Sequence, residues 1–187
     1  MLQYFLGCIE GRFFIMENST SRTQQIVTIA FLMAVEIVLT RFASITTPYF
    51  RISFGFLPII IIGIMYGPLW AGTAYAVGDI IGGTLFPVGP FFPGFTLSAF
   101  LVGLIYGLFF YKREITLPRV IIACVVVVGG VYLGLGTLWL TTLLGKGYMV
   151  LLPVRIVKEL ITLPIYIVLI MALKTAFERI LKSSQAH

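Results

Sequence analysis

The chain has 187 residues, of which 59% are hydrophobic and 11% charged, with a mean hydropathy of +1.06. Soluble domains average about 45–50% apolar and about 25% charged residues, so this is the composition of an integral membrane protein and excludes a soluble enzyme. A formal charge of +6 and a pI of about 9.5 do not point to nucleic acid here, because excess Lys and Arg in such a protein set its orientation or meet anionic lipid.

Residues 1–16 are partly apolar but interrupted by Glu10 and Arg12, which makes a poor signal-peptide core. Translation is expected to start at Met16, ahead of the polar stretch ENSTSRTQQ; an interfacial helix is the rival reading. Three regions follow: a polar N-terminal segment at 1–23, a membrane domain at 24–176 and a cytoplasmic tail at 177–187. A membrane-crossing helix takes about 20 residues, which leaves room for six spans with short loops. The first runs from about Gln24 to Arg41, and the second, short and carrying Pro58, from about Ser53 to Tyr66. Gly67 and Pro68 form a tight turn into a third span from about Leu69 to Phe86. The stretch FPVGPFFPGF at 86–95 leads to the fourth, which ends near Tyr111. The basic loop Lys112–Arg119 precedes a fifth span to about Thr142, and a loop at Leu143–Leu152 precedes the last, to about Ala176.

Six spans place both termini on one side with the loops at Gly67 and Lys112. That side collects Arg12, Arg22, Lys112, Arg113, Arg119, Lys174, Arg179 and Lys182, so the termini are expected to be cytoplasmic. The expected fold is an all-α six-helix membrane bundle. Arg41, Arg51, Lys146, Arg155 and Lys158 then sit at or below the outer surface, where topology does not call for them. They line an outward cavity for an anionic ligand or snorkel to lipid phosphates. Small residues recur four apart at Ala30/Ala34, Gly63/Gly67, Gly78/Gly82, Gly103/Gly107 and Gly130/Gly134, a spacing that lets helices approach closely inside the bundle or across to a partner.

Catalytic chemistry is sparse. The only histidine is His187, which removes His-based triads and metal sites from the bundle, and no glycine-rich phosphate loop ends in Lys-Ser or Lys-Thr. Cys8 and Cys124 make no disulfide framework. Glu36, Asp79 and Glu159 stand on three different spans, so a membrane-embedded enzyme is a minor alternative, and no ring of repeated polar residues supports a channel.

Asp79, about two-thirds along the third span, is the most informative residue. An acid there costs about 2.5–3.5 kcal/mol on insertion scales and faces a cavity or a partner. Its carboxylate suits a ligand edge with adjacent N–H donors, such as an aminopyrimidine or pterin; the alternative is an ion pair with Arg41 or Lys158. Glu36 faces the same choice. Arg155, Lys158 and Glu159 share one helical face, and one acid cannot neutralise two cations, so a carboxylate-bearing ligand fits there. The rival is an Arg155–Glu159 pair with Lys158 reaching to headgroups. Phe86, Phe91 and Phe92 in the Pro/Gly-shaped loop either cover a flat heteroaromatic ring or anchor the chain at the interface.

The motifs TRF at 40–42, RISFGFLP at 51–58, YGPLWAG at 66–72, GDIIG at 78–82, FFPGFTLS at 91–98, GLIYGLFF at 103–110 and RIVKE at 155–159 occur in that order. With them the chain from about residue 24 to 175 resembles the S component of an energy-coupling factor vitamin transporter, in particular the folate family. The resemblance implies a bacterial plasma-membrane protein of six helices that binds one vitamin from outside and has no ATPase or cofactor of its own. It implies a membrane coupling subunit and two cytoplasmic ATPases as partners. It also implies that an AxxxA motif, here Ala30 and Ala34, meets the coupling subunit, and that the loops at Ile45–Phe50 and Phe86–Gly94 act as gates. Folate offers a pterin edge, a flat middle and a glutamate tail: Asp79 meets the first, the Phe loop covers the rings, and Arg41, Arg51, Arg155 or Lys158 receives the tail. Riboflavin and thiamine are the alternative substrates.

Overall fold

The computed structural model describes residues 22–42, 44–46, 51–87, 92–145 and 147–185. The expected start at Met16, most of the polar N-terminal segment, Phe91, Lys146 and parts of both expected gates lie outside the described residues. Helix α1 spans Arg22–Arg41 and is followed by a two-residue antiparallel hairpin, β1 (Ile45–Thr46) against β2 (Arg51–Ile52). Then come α2 (Phe56–Tyr66), α3 (Pro68–Leu85) and α4 (Pro93–Phe110). A continuous rod follows, made of α5 (Leu117–Val126), a π segment (Val127–Leu135) and α6 (Gly136–Leu144); α7 (Tyr148–Gln185) closes the chain.

Apart from the hairpin the regular structure among the described residues is all helical. Arg22–Arg41, Pro93–Phe110, Leu117–Leu143 and Tyr148–Ala176 are long and apolar enough to cross a membrane, and Phe56–Tyr66 is a shorter apolar helix. α2 is the most deeply packed element: Phe56, Ile59, Ile60 and Ile62 are all buried, against Ala71 and Ala74 of α3 and Val102, Tyr106 and Phe110 of α4. Many exposed side chains are apolar, among them Phe31, Leu69, Leu85, Val150 and Val168. Such a surface is unfavourable in water and at home in lipid.

Turn chemistry sets the helix boundaries. Gly67, between α2 and α3, has φ +96°, a conformation open to glycine, and Pro68 starts α3 where its missing N–H costs nothing. The fifth span is not a uniform α-helix. Its centre, VVGGVYLGL, is wound as a π segment, and a side chain at Gly129 or Gly130 would meet nothing within 4 Å. These glycines give up no packing when the turn widens.

The structure also sorts the small-residue pairs. A Cβ at Gly103 would lie 2.5 Å from the carbonyl oxygen of Ala71 and 2.9 Å from Cα of Gly72, while one at Gly107 would strike Pro68. A Cβ at Gly63 would come within 3.0 Å of Cα of Gly107, so α2, α3 and α4 meet at backbone distance. Ala30 and Ala34 are exposed instead. Gly103→Ala is therefore expected to destabilise the fold by about 1–3 kcal/mol through backbone overpacking. Gly130→Ala should stay within about 0.5 kcal/mol of wild type. Thermal unfolding in detergent compares the two.

Candidate functional site at the loop end of the bundle

α1 and α3 end where α4 and α7 begin, and a chain of polar contacts links these ends. On one side, Arg41 at the end of α1 places Nη2 3.6 Å from Asp79 Oδ1 and 3.5 Å from the Asp79 carbonyl oxygen. Thr96, in the first turn of α4, donates to Asp79 Oδ2 at 2.9 Å. The Arg41 side chain is 10% exposed and that of Asp79 24%, so the pair is shielded and the carboxylate stays reachable. Of the two readings of Asp79, the structure realises the ion pair with Arg41.

Glu36 lies one turn deeper and is 1% exposed. Thr40 donates to its Oε1 at 2.8 Å, and its Oε2 has no partner. Two glycines from other elements make room for it: a Cβ at Gly78 would collide with Oε2, and one at Gly55 would collide with the Thr40 hydroxyl. Gly82 does the same for Arg41, since a Cβ there would fall 2.8 Å from Nε. The Gly78/Gly82 stripe of α3 therefore serves to admit a carboxylate and a guanidinium from α1.

On the other side, the pairing on α7 differs from the Arg155–Glu159 alternative raised by sequence. Lys158 Nζ donates to Glu159 Oε1 at 3.0 Å and lies 6.0 Å from the centre of the Tyr132 ring. Arg155 turns away to the neighbouring rod, where Nη1 donates to the Tyr132 carbonyl at 3.2 Å and to Thr137 Oγ1 at 3.4 Å. The two sides are joined through α4 and α6, because Trp139 Nε1 donates to Ser98 Oγ at 3.0 Å.

Aromatic rings rim this end. Phe42 and Phe86 meet edge to face with centroids 5.5 Å apart, and Phe92 lies 5.7 Å from Trp139 and 6.0 Å from Phe95. Arg51 is placed on β2 of the hairpin. The structure thus brings Arg41 and Asp79 together, gathers Arg155 and Lys158 on α7, and puts Phe86 and Phe92 at the rim. Sequence reasoning missed Thr96, Ser98, Thr137 and Trp139. In membrane helices Ser and Thr most often bond their own backbone one turn back, so their positions carry no signal before the helices are docked. As chemistry, the site offers donors, acceptors and aromatic faces.

A family model described as "ECF transporter, substrate-specific component" matches residues 24–174. A protein of Clostridium novyi called folate transporter FolT is 48% identical over 141 residues, covering 75% of this chain and 82% of that protein. The folate transporter FolT of Leuconostoc mesenteroides is 34% identical over 165 residues, covering 81% and 89%. Among solved structures, a crystal structure of FolT bound with folic acid superposes with a TM-score of 0.78 at 40% identity, covering 82% of this chain and 94% of the other.

Proposed function

The chain belongs to the family of substrate-specific components of ECF transporters, and from that membership we propose that it captures folate outside the cell and delivers it to an ATP-driven importer. It is a transport subunit and not an enzyme. The observation that carries the folate reading is the composition of the loop end. A reachable carboxylate at Asp79 suits the N–H donors of a pterin, the Phe and Trp rings suit its flat middle, and the cations of α7 suit the glutamate tail. Thiamine is cationic and matches this charge less well.

In this reading the chain makes six spans: α1, α2, α3, α4, the α5–α6 rod and α7. Both termini are cytoplasmic, where the basic Lys112–Arg119 loop also lies, and the protein resides in the bacterial plasma membrane. The short α2 is tolerated because neighbouring helices cover it. A coupling subunit docks on the exposed Ala30/Ala34 face of α1, and two cytoplasmic ATPases supply the hydrolysis for which this sequence has no nucleotide motif. Titration calorimetry of the purified protein with folate, riboflavin and thiamine, without ATP, tests the substrate. Tight single-site binding of folate alone is expected; tight riboflavin or thiamine binding with no folate signal defeats the assignment.

A further inference from the structure

We propose that the turn between α4 and α5 binds the phosphate of an anionic phospholipid, at a site separate from the one that takes the vitamin. Residues 111–116 join the two helices, and an open groove of about 330 Å³ lies there, lined by Lys112, Arg113, Glu114, Thr116 and Arg119. Arg113 has an interaction of its own, so the site rests on Lys112 and Arg119. Among the described residues Glu114 forms no ion pair with either of them. Arg119 Nη1 donates to the Glu114 carbonyl oxygen and not to its carboxylate. A neutral acceptor orients the guanidinium and leaves its charge and its other donors for a phosphate.

Lys112 is aimed by its backbone and its neighbour. It follows the last turn of α4 and has φ +51°, the left-handed conformation that glycine usually supplies just past a helix end. Its Nζ stands 5.3 Å from the centre of the Tyr111 ring. A lysine held strained where glycine would sit at no cost points to a use for its charge. Position commits the groove to a lipid. Pro93–Phe110 and Leu117–Leu143 are both long and apolar enough to cross a membrane, and a connection this short keeps its cations at headgroup level. Leu108 on α4, and Leu117 and Ile121 one turn apart on α5, are exposed, so apolar side chains continue from the groove into the bilayer. A phosphodiester on acyl chains matches both halves of this surface, whereas a soluble anion matches only the first. The site does not depend on which vitamin is carried; its place in the inner leaflet follows from the topology proposed above.

The test is native mass spectrometry of the full chain in neutral detergent, titrated with phosphatidylglycerol and with phosphatidylcholine of the same acyl chains. Wild type should retain phosphatidylglycerol about 5- to 25-fold better, the range for two cations at a headgroup. Lys112→Gly, which removes the charge and relieves the backbone, should lower that preference about fivefold at a melting temperature no lower than wild type. Arg119→Gln should lower it by a similar factor, and Glu114→Gln should raise it. Arg22→Gln, which removes a cation at the start of α1 instead, should leave it unchanged. Glycerol phosphate and inorganic phosphate, which lack acyl chains, should not displace the lipid. Equal retention of the two lipids by wild type overturns the site, and so does an Arg22→Gln loss as large as those of Lys112→Gly and Arg119→Gln, which means diffuse attraction. Displacement by glycerol phosphate or inorganic phosphate overturns the lipid assignment in favour of a soluble anion. Folate titration on the same preparations should be alike in wild type and all four variants. A wild-type protein that prefers phosphatidylglycerol but ignores folate defeats the folate reading alone.

Discussion

Replacing Ala30 and Ala34 together by Trp is expected to abolish folate uptake by cells while leaving folate binding by the isolated subunit near normal. The two alanines lie one helical turn apart on α1 and are exposed, between the exposed side chains of Val27, Phe31 and Val38. The opposite face of α1 carries Ile29 and Glu36 into the bundle. Large rings at 30 and 34 therefore project away from the subunit's own core and strain nothing inside it. Between membrane helices there is no hydrophobic drive, so a docked partner depends on how closely backbones approach, and two bulky rings hold it off. A loss of about 3 kcal/mol, the upper end for overpacking, weakens association on the order of 100-fold. Copurification with the coupling subunit, folate titration and melting are measured on one preparation. A double variant that melts early or loses folate before it loses the partner shows that the alanines serve internal packing.

Asp79→Asn is expected to weaken folate binding by about 2–4 kcal/mol, roughly 30- to 1,000-fold. The amide keeps the volume but opposes the pterin donors with a donor of its own. It also leaves the guanidinium of Arg41, with a side chain 10% exposed, without its counter-charge. Thr96→Val separates the two effects, since it removes the 2.9 Å hydrogen bond to Oδ2 and keeps both charges. Thr96→Val should lose at most about tenfold in affinity. If Asp79→Asn lowers the melting temperature with affinity unchanged, the acid only staples α1 to α3.

Membrane class and approximate helix positions follow from composition, because an apolar run of spanning length has few alternatives in a bilayer, and the family follows from motif order. Asp79 was legible for the same reason: an acid inside such a run demands a partner. Which partner it takes depends on helix docking, and docking set it on Arg41 and Thr96. The same holds for Arg155 and Glu159, whose i, i+4 spacing invites a pair; in the bundle Glu159 takes Lys158, and Arg155 crosses to the carbonyl of Tyr132. The glycine stripes look alike in sequence and have three fates. Gly103 and Gly107 let backbones touch, Gly55, Gly78, Gly82 and Gly136 make room for charged or hydroxyl groups, and Gly129 and Gly130 face nothing within 4 Å. The sequence by itself determined that this is a multi-helix membrane protein of the substrate-specific component family, through hydropathy and motif order, which are local properties of the chain. Only the tertiary structure decided which charges pair with which, because a missing Cβ and a neighbouring charge acquire meaning only from the atom that another helix brings beside them.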